Sequence, residues 1–167
     1  DVAVRIRLYG SEVVSAADGT VAMRAATDAL STAGIDVSWR ACARTPPSDH
    51  PCGAPLDASE VVVRLIASAP DAATNTSARP LGNAFVPAVH PRTGQLATIY
   101  IDRVVWLANR ARTARGELLG RAIAHEIGHL LLGSTTHTPT GLMRGAWSDV
   151  ELRQERPEDW VFPPPLA

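Results

Sequence analysis

The chain has 167 residues and a mass of 17.7 kDa, long enough to bury its own core but short for a second domain. Hydrophobic residues make up 46% and charged residues 20%, a globular balance that excludes wholesale disorder. The formal net charge of −1 removes the electrostatic footprint of a nucleic-acid binder, and no apolar run reaches the roughly 18–20 residues that span a bilayer.

The opening alternates, with Val2, Val4, Ile6 and Leu8 on one face and Arg5, Arg7 and Tyr9 on the other. This predicts a strand with one buried face. An Ala-rich stretch from about Asp18 to Ala33 reads as a helix stopped by Gly34. Ile35, Val37, Trp39 and Ala41 alternate again as a second strand. Strand, helix and strand in succession form a crossover unit, so these two strands are expected to be parallel. Cys42 and Cys52 then flank a Pro-rich loop. A disulfide between them would be worth about 2–3 kcal/mol by loop entropy. The alternatives are free thiols, or a metal site made by both thiolates with His50. A bridge would imply an oxidising compartment, secreted or periplasmic, and a chain opening on Asp1 with no leader reads as processed or trimmed.

Residues 61–67, VVVRLIA, are apolar enough for a central strand. Pro80, Pro87 and Pro91 punctuate a short strand over 81–86, which suggests a sheet edge. Residues 96–101 form the fifth strand, and Asp102 can cap a helix that begins near Arg103. A strong helix over 116–132 ends at Gly133. Ser148 opens a short last helix, and the tail VFPPPLA cannot be helical. Trp106, Trp147 and Trp160 are expected to pack the core or pin the tail. His50 and His90 read as exposed bystanders. The predicted class is α+β with an α/β-like N-terminal part: a twisted, mixed, five-stranded sheet with a crossover helix, an active-site helix and a C-terminal helix. One domain is expected over 1–167, with the sheet and active-site helix in 1–133 and a small C-terminal part in 134–167.

The strong helix contains His125-Glu126-Ile127-Gly128-His129. Histidines four apart project from one helix face, close enough for both imidazoles to reach one metal ion. Glu126 can lie beside the metal without binding it and take a proton from a metal-bound water. The helix already has apolar packing from Ala122, Ile123, Ile127, Leu130 and Leu131, so two core histidines would be a polar burden without a metal. Catalytic zinc takes three protein ligands plus water, and His137, after the Gly133 stop, is the candidate third. Glu151 is its rival. Ser148-Asp149-Val150-Glu151, however, also reads as a capping box. Met143 follows His137 in Pro139-Thr140-Gly141-Leu142-Met143.

With these residues the chain resembles the metzincin clan of zinc peptidases, the matrixins in particular, whose signature is HExxHxxGxxH followed by a methionine turn beneath the metal. His125, Glu126 and His129 match outright, and Gly133, His137 and Met143 match in order. The glycine comes one residue later, and the third histidine two residues later, than in that pattern. Leu81-Gly82-Asn83-Ala84-Phe85-Val86-Pro87 is similar to the matrixin edge strand lining the substrate cleft, and Ile99-Tyr100-Ile101-Asp102 to the strand after it. The resemblance, concentrated over 80–147, implies substrate contacts at Gly82, Asn83 and Ala84. It also implies a pocket wall from Pro139, Thr140 and Gly141. Asn83 stands where a histidine ligand of a structural zinc would be expected, so no structural metals are anticipated. The expectation is a monomeric, exported zinc endopeptidase that cleaves protein or peptide with one catalytic Zn²⁺. It would have no nucleic-acid partner and no membrane span. Alternatives are a gluzincin-like peptidase with Glu151 as third ligand, or a non-catalytic peptide-binding module on the same fold.

Overall fold

The structure, a computed structural model, describes residues 2–70, 80–90, 93–154 and 156–162. Pro91 and the 163–167 part of the tail lie outside the described residues. Five strands form one mixed sheet: β1 (Val2–Tyr9), β2 (Ile35–Cys42), β3 (Glu60–Ile66), β4 (Gly82–Phe85) and β5 (Leu96–Tyr100). Their order is β2-β1-β3-β5-β4, with β4 antiparallel to β5 at one edge and every other pairing parallel. The crossover pairing of β1 with β2, the central place of β3 and the edge place of β4 therefore agree with the sequence reading.

The crossover helix α1 (Ala16–Ser31) starts two residues earlier than its Ala-rich stretch suggests. Ser15 is the cap, its hydroxyl accepting the Asp18 N–H at 3.1 Å. Helix α1 packs along α3 (Arg115–Leu132), where Gly116 and Gly120 leave no Cβ to hold it off. A Cβ at Gly120 would stand 2.7 Å from that of Ala25. Val4, Ile6, Leu8, Val61, Val63, Leu65, Ala97 and Ile99 line the helix-covered sheet face and meet Leu118, Ile123 and Ile127 of α3.

The expectation of a single buried face on β1 needs correction. Val2 frays at the strand start, 61% exposed, whereas Arg7 on the opposite face is 3% exposed. The loop between β2 and β3 covers it, tied down by a Cys42–Cys52 disulfide with Cα atoms 5.8 Å apart. Arg7 donates to the carbonyls of Ala54 (2.7 Å) and Pro55 (3.1 Å) and pairs with Glu60, while the Tyr9 hydroxyl donates to Cys52 O at 2.8 Å. A buried arginine is tolerated here because its two terminal amino groups find a carboxylate and carbonyls, although its Nε has no partner among the described residues.

Helix α2 (Ile101–Ala111) begins the moment β5 ends. Asp102 is thus not its cap: Tyr100 holds that position, and Asp102 sits in the first turn, accepting the N–H groups of Ala69 (3.3 Å) and Arg103 (2.9 Å). Nor is Trp106 in the core. Helix α2 buries Ile101, Val104, Ala108 and Ala111, a spacing that turns Trp106 outward to 49% exposure. Trp160 is buried in a short 3₁₀ turn (Pro157–Trp160) after α4 (Asp149–Gln154), and Trp147 packs edge-on against it at 5.4 Å. Among the described residues no helix is long and apolar enough to cross a membrane.

Candidate metal centre

His125 and His129 lie one turn apart on the buried length of α3, both under a tenth exposed. The helix stops at Gly133 in the left-handed region (φ 61°), its N–H reaching back to the His129 and Leu130 carbonyls. That conformation favours glycine and turns the chain off the helix axis. The Ser134–Thr136 stretch, closed by Ser134 Oγ accepting the Thr136 N–H, carries exposed His137 back over the two helix histidines. Ring centroids stand 4.7 Å (125–129), 5.3 Å (125–137) and 5.0 Å (129–137) apart, and one nitrogen from each ring lies within 4.8 Å of the others. Gly145 backs His137, since a Cβ there would sit 3.2 Å from its ring.

Hydrogen bonds fix the two helix imidazoles. His125 Nδ1 stands 2.9 Å from Leu142 O, and His129 Nδ1 stands 2.7 Å from Ser134 O. A carbonyl only accepts, so both Nδ1 atoms carry the proton and both Nε2 atoms present lone pairs. Those Nε2 atoms face each other at 3.0 Å. Two lone pairs at that distance repel unless a cation lies between them. Nitrogens bound at about 2.0–2.1 Å to one tetrahedral ion would be roughly 3.3 Å apart. The donor set fits a metal.

The supporting shell runs through the turn after His137. Thr138 N–H donates to Met143 O at 3.0 Å, and Leu142 N–H to Val161 O at 2.8 Å, so Val161 holds the residue whose carbonyl orients His125. Met143, 1% exposed, packs against Gly128 of α3. A Cβ on Gly128 would lie 2.6 Å from both Met143 Sδ and Phe162 Cε1, so only glycine admits this contact.

Glu126, 7% exposed, points to β4, where a Cβ on Gly82 would come within 2.9 Å of its Oε1. Burial raises its pKa to about 7, against the hydrogen bond from the Ala84 N–H, which favours the carboxylate. Burial likewise lowers His125 to about 4, with the His129 and His137 charges adding to it and the Leu142 carbonyl opposing. His129 is shifted down for the same leading reason.

These groups open onto a cleft of about 740 Å³. Gly82, Asn83 and Ala84 line it; Pro139, Thr140 and Gly141, which the resemblance makes a pocket wall, do not. Gly141 (φ 75°) and the Thr138–Met143 bond close those residues into a tight turn, with Pro139 and Thr140 projecting to solvent. The wall is made instead by Gly145, Ala146 and Trp147, the last edge-on to His125 at 5.7 Å. Glu151 is taken up elsewhere. Its carboxylate accepts from Ser148 N–H and Oγ, each at 2.7 Å, and pairs with Arg144; the Ser148 bonds lead in holding its pKa low. The disulfide consumes both thiolates, leaving no Cys–His metal site, and exposed His50 accepts the Cys52 N–H. His90 is exposed in the β4–β5 connection.

Sequence reasoning missed the carbonyls of Leu142 and Ser134, which have no residue signature. It also missed Gly128, although a glycine inside a strong helix is itself a sign of close approach. The α2 side of the cleft, with Arg103, Trp106 and Arg110, was likewise not anticipated. No protein-family model matches the chain, and no curated protein matches it.

Proposed function

We propose that the protein is an exported, monomeric, zinc-dependent endopeptidase of metzincin type, with His125, His129 and His137 as zinc ligands and Glu126 as general base. The observation that carries this reading is the opposed pair of Nε2 atoms, 3.0 Å apart, each made a lone-pair donor by a carbonyl on its own Nδ1. Three imidazoles with a carboxylate beside them, not among them, suit catalytic zinc with one open position.

Bound zinc would supply a Lewis acid that acidifies a water and stabilises the negative charge developing on a peptide carbonyl. Glu126 accepts the proton of the attacking water and hands it to the leaving amine. Its burial beside the histidines places a single carboxylate where both halves of that exchange can use it. Strand β4 pairs on one side with β5, and its other side borders the cleft, where an extended peptide can add through main-chain hydrogen bonds. The Cys42–Cys52 disulfide accords with export.

The test is elemental analysis together with turnover of an unfolded protein. One zinc per chain is expected, with internal cleavage that a chelator abolishes and added zinc restores. A chain that binds no metal, or cleaves equally with chelator present, would sink the reading.

A further inference from the structure

The cleft wall that α2 provides carries chemistry that peptide hydrolysis alone does not need. Arg103, Trp106 and Arg110 recur at helical spacing on one face of α2, with the cap residue Tyr100 before them, a stripe about 10 Å long from Arg103 to Arg110 that borders the cleft. Each guanidinium lies over an aromatic ring: Arg103 over Tyr100 at 4.7 Å and Arg110 over Trp106 at 5.2 Å. Stacking fixes the plane of a guanidinium and leaves its edge N–H groups to meet a carboxylate in a forked pair.

The charges of this wall are incompletely answered. Arg144, also at the cleft, is neutralised by Glu151 and Asp159. Arg110 is ion-paired through its Nε with Asp149 at 3.0 Å, and no described residue takes its two terminal amino groups. Arg103 donates Nη1 to Pro80 O at 2.8 Å, a neutral acceptor, and has no acidic partner among the described residues. The sole carboxylate among the described lining residues is Glu126, at the histidine end. The α2 wall of this cleft thus carries one arginine without an acidic partner among the described residues and a second whose terminal amino groups remain, both stacked on aromatic rings.

We infer that the Tyr100–Arg110 stripe of α2 is a subsite that selects substrates presenting a carboxylate beside the scissile bond. Half-exposed Trp106 offers the apolar floor on which the stem of that residue lies. The carboxylate has two possible sources, the side chain of an internal Asp or Glu and the free C-terminus of a short peptide. This inference rests on the peptidase reading for the word substrate, but its recognition chemistry does not depend on turnover.

Accordingly the test is binding to the zinc-loaded Glu126→Ala protein, read by fluorescence anisotropy with four labelled peptides: Glu or Gln at one internal position, each with a free or amidated C-terminus. The Glu peptide should bind about tenfold more tightly than its Gln twin, the scale of one charge-assisted pair, with the advantage shrinking at high salt. In the Arg103→Gln/Arg110→Gln double variant the ratio should fall towards one. Should amidation, and not Glu against Gln, carry the difference, the carboxylate recognised is the C-terminal one and the same variants should abolish it. Equal affinities for all four peptides, or a preference untouched by the double variant, would overturn the subsite. Cleavage by the wild type without acidic preference would remove this inference alone; acidic preference in binding without any cleavage would remove the peptidase reading alone.

Discussion

Arg7 and Glu60 beneath the disulfide loop, and His125, Glu126 and His129 on α3, are all under a tenth exposed, yet burial acts on them in opposite senses. In the first cluster every charge meets its answer. The bond to Arg7 leads in drawing Glu60 below the ordinary carboxylate range, and the bond to Glu60 leads in holding Arg7 above its usual value. In the second cluster desolvation leads, lifting Glu126 to about 7 and pressing His125 to about 4. One cluster is complete as a piece of protein; the other, with His137, has three histidine nitrogens placed so that they could hold a cation. Buried charge that is already paired reads as structure, whereas buried titratable groups pushed towards neutrality and facing a cleft read as chemistry.

The largest expected effect breaks the comparison on the chemical side. Glu126→Ala should lower kcat/KM for a peptide substrate by about 10²–10⁴-fold, the range for loss of a general base. Zinc content should change little, because the ligands and their carbonyl partners remain. Peptide-cleavage kinetics beside elemental analysis checks this, and retained turnover would remove Glu126 from its role.

Next comes the third ligand. Loss of a group that merely orients a ligand typically costs about 10–100-fold in metal affinity. Removing a ligand itself should cost more, so His137→Ala is expected to weaken zinc binding by over about 100-fold in a competition titration with a chromophoric chelator. A His137→Ala protein that kept wild-type affinity would mean that the two helix histidines find their third partner elsewhere.

Much of this was legible in the residues. Alternation in β1 and β2, the proline-bordered β4, and the long helix with its Gly133 stop are local patterns, and local patterns fix element type. The histidine pair was readable because helical spacing alone sets its geometry. What could not be read was set by tertiary contact. Arg7 is polar in any local pattern, and only the loop folded across it makes it buried. Trp106 has the composition of a core residue, and only the phase of α2 against α3 turns it to the cleft. Pro139-Thr140-Gly141 was expected by likeness to line the pocket, but the Thr138–Met143 hydrogen bond draws those residues into a turn, and Gly145, Ala146 and Trp147 line it instead.

The two clusters should also differ in how stability follows pH. Glu60→Gln leaves Arg7 buried without its carboxylate and should cost about 3 kcal/mol at neutral pH. The folded pKa of Glu60 is lowered, so its contribution is present above the unfolded value and lost as pH falls through the folded one. The penalty of the variant should therefore shrink in acid. Glu126→Gln in the metal-free protein should do the reverse. A folded pKa raised to about 7 means the ionised form is disfavoured on folding, so the variant should gain about 1–3 kcal/mol at pH 8. That gain should vanish near pH 4, where the carboxyl is protonated folded or unfolded. Urea titrations at three pH values would test both slopes, and parallel slopes would dissolve the contrast.

The smallest effect separates Glu151 from the metal. Its carboxylate accepts Ser148 N–H and Oγ while Ser148 Oγ accepts Glu151 N–H at 3.3 Å, the reciprocal arrangement of a capping box at the start of α4. Arg144, which pairs with it, also donates to Gly141 O at 3.1 Å and approaches Asp159, so its charge keeps a second acid when Glu151 is removed. Glu151→Ala should accordingly cost about 1 kcal/mol, the usual scale of a lost cap, with zinc affinity unchanged. Glutamine also serves at this position of a capping box, so Glu151→Gln should recover part of that loss. As a zinc ligand the side chain would behave otherwise: a neutral amide replaces an anionic oxygen poorly, so Gln and Ala should then both release the metal. Measuring stability and zinc affinity on the two variants distinguishes these roles, because a cap is rescued by glutamine in the first readout and silent in the second. Zinc lost from both Glu151 variants, beside zinc retained by His137→Ala, would move the third ligand to α4 and with it the whole site to a gluzincin-like arrangement.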